Sequence, residues 1–381
     1  MEIKKKCMEF VKKETVLTVA AALAVLSAVM IPPDREYVEY IDFRTLSILF
    51  CLMTVMAGLQ KLGVFRKIAK ILLQHTHNTM QLVEVLVLLC FFFSMIITND
   101  VALITFVPFT FIVLGLSGED SMRKLAVPVV VLQTIAANLG SMLTPIGNPQ
   151  NLYLYGKAQM SAGAFVFLML PYSLLSLLLL VVFGAIVAKC CRMEIRGAGV
   201  SLPEDEESVQ KKYLLPGYLL LFALCLLTVA HIIPYPVTLA IVILTVLILD
   251  RRTIGKVDYS LLLTFIGFFV FIGNMGRMPA FCEFLQKIIG GREVMTAVIA
   301  SQVISNVPAA LLLSGFTDNM QALIIGTNLG GLGTLIASMA SLISYKQVTG
   351  QIPEEKKRYF GWFTLANIGF LVLLVSENCL L

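Results

Sequence analysis

The sequence predicts an all-α polytopic membrane protein with two inverted repeats, about nine spans, two re-entrant hairpins and two broken helices. Three observations predict this fold class. Hydrophobic residues make up 58% of the 381 positions and charged residues 14%, which is typical of an integral membrane protein. Most apolar segments approach the roughly 20 residues that cross a bilayer as a helix. One such segment is interrupted in its middle by glycine, proline and polar residues, and a similar interruption recurs in the second half of the chain.

The first interruption lies in Gln133–Asn151, with the sequence QTIAANLGSMLTPIGNPQN. Glycine and proline are poor helix formers, so this segment is predicted to break into two half-helices at half depth in the membrane. Non-helical backbone at that depth persists only where protein or a water-filled cavity covers it. The segment Asn328–Ser338, NLGGLGTLIAS, repeats the pattern of Asn138–Asn148, NLGSMLTPIGN. A pair of broken helices at matching positions indicates the binding site of a secondary transporter.

The repeat divides the chain into five predicted regions. They are scaffold helices of the first repeat (1–79), a hairpin, broken helix and closing span (80–192), a cytoplasmic linker (193–212), scaffold helices of the second repeat (213–293), and a second hairpin, broken helix and closing span (294–381). The apolar arms beside Asn306 hold about 10 residues each, too few to cross a bilayer, so this hairpin is predicted to be re-entrant. The arms beside Asn99 hold about 16 residues each and could nearly cross, but by symmetry this hairpin is predicted to be re-entrant too. An odd number of crossings then separates equivalent spans, which inverts the second copy.

The distribution of basic residues predicts the orientation in the membrane. With a cytoplasmic N-terminus, the basic loops Lys61–Lys70, Arg251–Lys256 and Lys346–Arg358 all fall on the cytoplasmic side. The C-terminus is then external, and the chain is predicted to be a multi-pass protein of the plasma (inner) membrane, surrounded by the lipid bilayer. The basic loops also explain the net charge of +5, so no nucleic-acid partner is expected.

The polar residues at the hairpin tips and helix breaks form the predicted ion- and substrate-binding site. They are Thr98, Asn99, Asp100, Asn138, Gly140, Ser141, Thr144 and Asn148 in the first half, and Ser305, Asn306, Asn328, Gly331, Thr334 and Ser338 in the second. Hard cations bind carbonyl, hydroxyl and amide oxygens, so the possible Na⁺ sites are Asn99, Asn138 and Thr144, and Asn306, Asn328 and Thr334. A small anionic substrate would prefer the N-terminal ends of half-helices. The alternative is that these side chains only hydrogen-bond the helices to one another.

Asp100 differs from the other polar residues because it carries a charge. An acid at half membrane depth is costly and is a functional hypothesis by default. The equivalent position in the second hairpin is Val307, so the two repeats differ there. Burial favours the protonated carboxyl group unless a cation or amide groups stabilise the charge. We therefore predict that Asp100 binds Na⁺ or carries a proton; the alternative is that it caps the hairpin turn.

Other classes of function find little support in the sequence. An intramembrane enzyme is a remote alternative, because the chain has no HExxH motif, only three histidines and no paired catalytic residues within its spans. The eight cysteines show no CxxC spacing and lie mostly in apolar segments, so neither disulfides nor a metal centre is expected. No cofactor is predicted apart from Na⁺ or H⁺ as the coupling ion.

Four motifs resemble those of the ion-transporter superfamily: TNDVALITFVPF, NLGSMLTPIGNPQN, SNVPAALLL and NLGGLGTLIAS. This superfamily includes divalent anion/sodium symporters, citrate-transporter-like permeases, arsenite/antimonite efflux permeases and bacterial Na⁺/H⁺ antiporters. The resemblance implies a transport part that moves against a scaffold in an elevator mechanism, and a homodimer. It predicts a secondary active transporter for a small anion, either a carboxylate or an inorganic oxyanion. The alternatives are arsenite/antimonite efflux and Na⁺/H⁺ exchange.

The hairpin tips distinguish the branches of this superfamily. In the dicarboxylate branch each tip reads Ser-Asn-Thr, and the Asn and Thr help to hold the carboxylates of the substrate. Here the tips read Thr98-Asn99-Asp100 and Ser305-Asn306-Val307, so both threonines are replaced. An acid at one tip would repel a dicarboxylate. The tips therefore resemble more closely those of the arsenite permeases and the citrate-like permeases.

Overall fold

The protein is described by a computed structural model that covers residues 14–73, 76–191 and 212–378. Within those ranges the regular structure is helical throughout. Seven of the described helices are long and apolar enough to cross a membrane by length and composition. This confirms the predicted all-α polytopic fold class. The predicted linker 193–212 lies outside the described residues, except for the backbone of Lys212.

The first repeat contains nine of the described helices. They are α1 (Thr15–Met30), α2 (Glu36–Glu39), α3 (Phe43–Lys61), α4 (Val64–Leu73), α5 (Thr79–Ile97), α6 (Asn99–Leu116), α7 (Glu119–Ser141), α8 (Pro149–Ala158) and α9 (Ala162–Cys190). Helices α5 and α6 form the hairpin, and α7 and α8 are the two halves of the broken helix. Helix α9 is the closing span.

The second repeat begins with an additional apolar helix and then has the same order of scaffold helices, hairpin, broken helix and closing span. Its described helices are α10 (Leu215–Val229), α11 (Tyr235–Asp250), α12 (Tyr259–Gly276), α13 (Pro279–Ile289), α14 (Glu293–Ile304), α15 (Asn306–Leu313), α16 (Met320–Leu329), α17 (Met339–Gln351) and α18 (Lys356–Asn378). Helices α14 and α15 form the second hairpin, α16 and α17 the second broken helix, and α18 the last span.

An aspartate caps the N-terminal end of α3 in the first repeat and of α12 in the second. The side chain of Asp42 accepts a hydrogen bond from the amide of Thr45 at 2.9 Å, and that of Asp258 accepts one from the amide of Leu261 at 3.0 Å. The two residues also have nearly equal backbone angles, with φ −78° and ψ 83° at Asp42 and φ −77° and ψ 84° at Asp258. Aspartate is a preferred N-cap because its carboxylate satisfies the free amides of the first turn. The same local chemistry therefore begins the helix in both halves.

The two hairpins differ in length. The arms of the first hairpin contain 19 and 18 residues, more than the sequence pattern predicts, and each is long enough to cross a membrane. The arms of the second contain 12 and 8 residues. Length alone therefore favours re-entry only for the second hairpin, since about 20 residues span the hydrocarbon core.

Helix α7 belongs to the region predicted as the transport part and is the most buried of the described membrane-length helices. Of its most apolar 18-residue window 94% is buried, whereas the other membrane-length helices bury 28–61%. Helices α5, α6, α9, α17 and α18 pack around it. On the other side of the molecule, α3 packs against α10 and α11, and α1 against α12. Each part therefore combines elements of both repeats, which brings the two helix breaks together.

Candidate functional site

A single residue in a strained conformation forms the tip of each hairpin. Thr98 has φ 71° and ψ 150°, and Ser305 has φ 73° and ψ 154°. A positive φ is uncommon for residues other than glycine and persists where surrounding contacts enforce it. Each tip is followed directly by an asparagine whose backbone amide contacts the helix break of its own repeat. The amide of Asn99 donates to the carbonyl of Gly147 at 3.2 Å, and that of Asn306 donates to the carbonyl of Ala337 at 2.9 Å.

Small residues allow the hairpins to approach the broken helices this closely. A Cβ atom on Gly140 would lie 2.0 Å from the carbonyl oxygen of Phe91, and one on Gly330 would lie 2.7 Å from Ser301 Oγ. Gly331 faces the second tip, since a Cβ there would lie 3.1 Å from Asn306 Nδ2. Glycine is therefore needed where hairpin and broken helix meet.

Asn138 joins the two repeats. Its Oδ1 accepts a hydrogen bond from Asn99 Nδ2 at 3.0 Å and another from Ser338 Oγ at 2.9 Å. Asn99 belongs to the first hairpin, whereas Ser338 caps the half-helix α17 of the second repeat by accepting from the amide of Ala340. All three side chains are buried. One amide group therefore holds the first hairpin, the first broken helix and the second broken helix together.

A second bridge between the repeats runs through Asn151, which sequence reasoning did not place in the site. Asn328 Nδ2 donates to Asn151 Oδ1 at 2.7 Å, and Asn151 Nδ2 donates to the carbonyls of Ser141 and Thr144 at 3.3 Å. Asn148 Nδ2 donates to Ser141 Oγ at 2.7 Å. Asn151 ends the NPQN part of the first motif, but the equivalent residue of the second repeat is serine, so the repeat pattern did not mark it.

The breaks begin later in the sequence than the pattern predicts. Asn138 lies inside α7, which ends at Ser141, and Asn328 is the second-last residue of α16. Thus neither asparagine opens the non-helical segment, although each lies in the last turn before it. Their backbone groups remain in the helix, because burial against the hairpins stabilises helical structure despite the nearby glycines.

The two threonines of the breaks face the hairpins. Thr144 Oγ1 donates to the carbonyl of Met95, and Thr334 Oγ1 donates to the carbonyl of Gln302 at 3.1 Å. Thr144 is half-buried and Thr334 exposed. In the proposed Na⁺ triads, the structure joins Asn99 to Asn138 directly, whereas both threonine hydroxyls donate to hairpin carbonyls. The two triads remain predictions.

Gln302 is a second residue that sequence reasoning missed. Its Nε2 donates to the carbonyls of Gly330 at 3.0 Å and Leu332 at 2.9 Å, and its Oε1 accepts from the amide of Thr334 at 2.9 Å. It therefore fixes the non-helical backbone of the second break. The equivalent residue in the first repeat is Met95, so comparison of the repeats gave no signal.

Several buried polar atoms of the site lack a hydrogen-bond partner among the described residues. The oxygens are Asp100 Oδ1, Asn148 Oδ1 and Asn328 Oδ1, and the nitrogen is Asn138 Nδ2. Buried polar groups are normally satisfied, and each exception requires an explanation. The Asp100 side chain caps nothing: α6 has no side-chain cap, and Asp100 contributes only its backbone amide, which donates to Asn99 Oδ1. Each unpaired oxygen is a potential cation ligand, and the unpaired nitrogen is a potential donor to an electronegative ligand.

Comparisons with known proteins show which family the chain resembles. Residues 7–323 match the citrate transporter family. An uncharacterized transporter of Methanocaldococcus jannaschii is 31% identical over 319 residues, which cover 83% of this chain and 84% of that protein. The inner membrane protein YbiR of Escherichia coli is 31% identical over 326 residues, 82% of each chain.

A further relative is the silicon efflux transporter LSI3 of Oryza sativa subsp. japonica. It is 31% identical over 142 residues, which cover 37% of this chain and 28% of that protein. Transport is thus the function named for the family and for two of these three relatives. On the match to the family and the two long matches to relatives, the chain belongs to the citrate transporter family.

Proposed function

We propose that this protein is a secondary active transporter that moves a small anion across the plasma (inner) membrane, coupled to Na⁺ or H⁺. The observation that carries the proposal is the Asn138 amide, which joins Asn99 and Ser338 from the two repeats. A binding site at the interface of two inverted repeats is the general arrangement of secondary transporters. A ligand at this position would contact both repeats and could respond to movement of either.

The free polar atoms support a cation and an anion bound together. The free oxygens of Asp100, Asn148 and Asn328 would coordinate Na⁺, or Asp100 would take up a proton. The free Asn138 Nδ2 is a donor that an anion can accept from. The coupling cation would then neutralise Asp100 and allow an anion to bind beside it.

The boundary between the transport part and the scaffold supports an elevator mechanism. Tyr153 of α8 packs against Phe265 and Phe269 of α12, with ring centroids 6.4 and 5.6 Å apart. Two hydrogen bonds also cross this boundary, from Gln60 Nε2 to Thr105 Oγ1 at 3.2 Å and from the Tyr155 hydroxyl to the carbonyl of Val229 at 3.1 Å, whereas the ion pair of Lys61 with Asp250 stays within the scaffold. Non-directional apolar contacts permit sliding more readily than buried ion pairs, whose separation is costly.

Metalloid efflux is the second candidate. The relative LSI3 is a silicon efflux transporter, and Asp100 at the hairpin tip would repel a dicarboxylate. A neutral hydroxylated species such as silicic or arsenous acid would avoid that repulsion while hydrogen-bonding to the same amides. Na⁺/H⁺ exchange through Asp100 is the remaining alternative, and a homodimer is proposed from the resemblance of the sequence to the superfamily.

Ligand-dependent stabilisation of the purified protein tests these alternatives, because a ligand that binds only the folded state raises the unfolding temperature. The screen combines Na⁺, Li⁺ or pH with citrate, other carboxylates, phosphate, arsenite and silicic acid. Anion transport predicts that a carboxylate or oxyanion stabilises the protein only with the coupling ion present. Stabilisation by silicic acid or arsenite alone would favour metalloid efflux. Stabilisation by Na⁺ and pH without any anion effect would favour Na⁺/H⁺ exchange.

Long-range contacts support the proposed topology by pairing segments assigned to the same side. Lys61 pairs with Asp250 at 3.0 Å, and both are predicted to be cytoplasmic. Arg277 pairs with Asp34 at 2.7 Å, and both are predicted to be external. This hydrogen-bonded guanidinium holds the pKa of Asp34 below its usual range.

Accessibility of single cysteines tests the orientation. In a cysteine-free background, an external hydrophilic thiol reagent should label Ile232→Cys in the α10–α11 loop and leave Lys256→Cys unlabelled in intact cells. Lys256 is suitable because its side chain is exposed, whereas Thr253 in the same loop is fully buried. Labelling of Lys256→Cys but not Ile232→Cys would reverse the orientation.

A further inference from the structure

A cavity of about 590 Å³ lies outside the polar site described above. Its walls come from the first turn of α3, the C-terminal end of α8, the start of α9 and the α10–α11 loop. Its polar lining residues include Arg44, Gln159, Ser161 and His231. It lies between the transport part and the scaffold, because α8 and α9 belong to the first and α3 and the α10–α11 loop to the second. Its volume falls within the roughly 300–1,000 Å³ of typical small-molecule sites.

Arg44 gives this cavity a positive charge. Its Nη2 lies 3.2 Å from both ring nitrogens of His231 and donates to whichever is unprotonated. Burial, and then the guanidinium of Arg44, lower the pKa of His231, so the imidazole is neutral at neutral pH. Among the described residues Arg44 forms no ion pair. Asp42, two positions earlier, is occupied by Thr45, whose amide and hydroxyl both donate to its carboxylate.

Two residues at the cavity also have positive φ, although Gln159 is left-handed helical with ψ 30°, whereas the hairpin tips have ψ near 150°. Among the described residues, four besides glycine have positive φ: Thr98, Ser305, Gln159 and His231. The first two are the hairpin tips, and the other two line this cavity. Gln159 ends α8 with φ 50° and His231 follows α10 with φ 63°, at positions where glycine is the usual residue. Strained residues cluster at functional sites because function retains them against their cost.

Polar groups of the opposite wall could complete the binding of an anion. Ser161 caps α9 by accepting from the amide of Ala164 at 3.1 Å, so the positive end of this helix faces the cavity. Gln159 and Ser161 are both exposed and can donate to a ligand. A guanidinium can bind carboxylate or phosphate through two parallel hydrogen bonds. Arg44 Nη2 lies at His231, and Nη1 is the further terminal nitrogen of this side chain.

We propose that this cavity is an entry site that binds a small anion, with a carboxylate or phosphate group held by Arg44. It is separate from the site around Asn138, and in the proposed orientation it opens to the external side. The anion would be captured at the boundary between the moving part and the scaffold. The same chemistry could come from a free anion in solution or from the phosphate of a lipid headgroup, and the test below separates the two.

The local potential is measured with a reporter cysteine at the cavity wall. In a cysteine-free background, Gln159→Cys is labelled with an anionic and a cationic methanethiosulfonate reagent, and the ratio of the two rates is recorded. Arg44 and Gln159 line the same cavity, so removal of this positive charge should lower the ratio roughly tenfold, the effect of one charge at about 5 Å in water that acts oppositely on the two reagents. We therefore expect such a decrease when Arg44→Gln is added and a return towards the starting ratio with Arg44→Lys. Ile232→Cys, which lies 67% exposed outside the cavity lining, serves as the control position.

Occupancy of the cavity by an anion is measured with the same Gln159→Cys variant. Citrate or phosphate at millimolar concentration should slow labelling of Gln159→Cys at least about fivefold in the Arg44 protein and leave the Arg44→Gln protein unchanged. Slow labelling in phosphatidylglycerol nanodiscs but not in phosphatidylcholine, without any effect of soluble anions, would assign the site to a lipid headgroup and overturn the entry-site proposal. An unchanged rate ratio in Arg44→Gln, or protection that persists in it, would also overturn the proposal. None of these outcomes depends on transport, so the entry site and the proposed function can fail separately.

Discussion

The two hairpin-and-break assemblies have nearly the same backbone but different side chains. Thr98 and Ser305 differ by only a few degrees in φ and ψ, and the following asparagine amides donate to equivalent carbonyls, those of Gly147 and Ala337. The breaks end in the same extended conformation, with φ −142° at Asn148 and φ −141° at Ser338. The backbone framework is therefore common to both repeats.

The chemistry added to this framework is unequal. The first assembly carries Asp100 where the second has Val307, and Asn151 where the second has Ser341. The second assembly instead carries Gln302, which binds the backbone of its own break. The first repeat therefore differs by its acid and by the additional amide of Asn151, whereas the second fixes its own break through Gln302.

The largest effect is expected from Asn138→Ala, which breaks one of the links between the assemblies. The change leaves Asn99 Nδ2 and Ser338 Oγ without their shared acceptor, and each buried unpaired donor costs about 1–3 kcal/mol. Uptake into proteoliposomes should fall to background, with a smaller loss in Asn328→Ala. The matched control is Asn367→Ala, a buried asparagine in α18 that bonds only to the carbonyl of Phe363. Normal uptake by both Asn138→Ala and Asn328→Ala would remove the central site from the transport mechanism.

Asp100→Asn removes the charge that distinguishes the first tip. Uptake should lose its dependence on the Na⁺ or pH gradient, while exchange down a substrate gradient persists, because the neutral amide no longer requires a cation. Gradient-driven uptake in proteoliposomes is the measurement. The double variant Asp100→Val, Val307→Asp moves the acid to the other tip and tests whether its position matters. Gradient-driven accumulation by Asp100→Asn at the wild-type rate would place the coupling site elsewhere.

Gly140→Ala tests the close approach of hairpin and broken helix. The new Cβ would meet the backbone carbonyl of Phe91, which cannot rotate away, so we expect a loss of stability of about 1–3 kcal/mol. Gly330→Ala should be milder, since the nearest atom is the movable hydroxyl of Ser301, although a backbone carbonyl lies just beyond it. The midpoint of thermal unfolding measures the loss of stability in both variants. Gly350→Ala, with no atom within 4 Å of the new Cβ, is the control. Equal midpoints for all three variants would contradict the packing argument.

Gln302→Leu should have the smallest effect and acts on the second repeat alone. It removes the side-chain contacts to Gly330, Leu332 and Thr334, but water can replace part of them because Thr334 is exposed. A net loss of about 0.5–1.5 kcal/mol corresponds to a roughly two- to tenfold weaker apparent affinity for substrate. Concentration-dependent uptake measures this change, and Met95→Leu at the equivalent position is the control. A loss as complete as in Asn138→Ala would make Gln302 part of the binding site itself.

The sequence by itself determined the fold class, the existence of the two hairpins and breaks, and their pairing. Composition and segment length are sufficient to predict the fold class, because a bilayer imposes helices of nearly fixed length. The repeated hairpin tips and the repeated Asn–Leu–Gly pattern are sufficient to predict the hairpins and the helix breaks, because hairpins and breaks both depend on local backbone conformation. The matched caps at Asp42 and Asp258 belong to the same class of local feature.

Only the tertiary structure decided which polar groups meet. Ser338 bonds to Asn138 across 200 positions, Asn328 to Asn151 across 177, and Arg44 to His231 across 187. A repeat pattern compares equivalent residues, whereas these contacts join residues that are not equivalent. It therefore marked neither Asn151 nor Gln302, which have different side chains at their equivalent positions. The physical reason is that local propensity sets the conformation of each segment, while the packing of helices from both repeats sets which buried donor finds which acceptor.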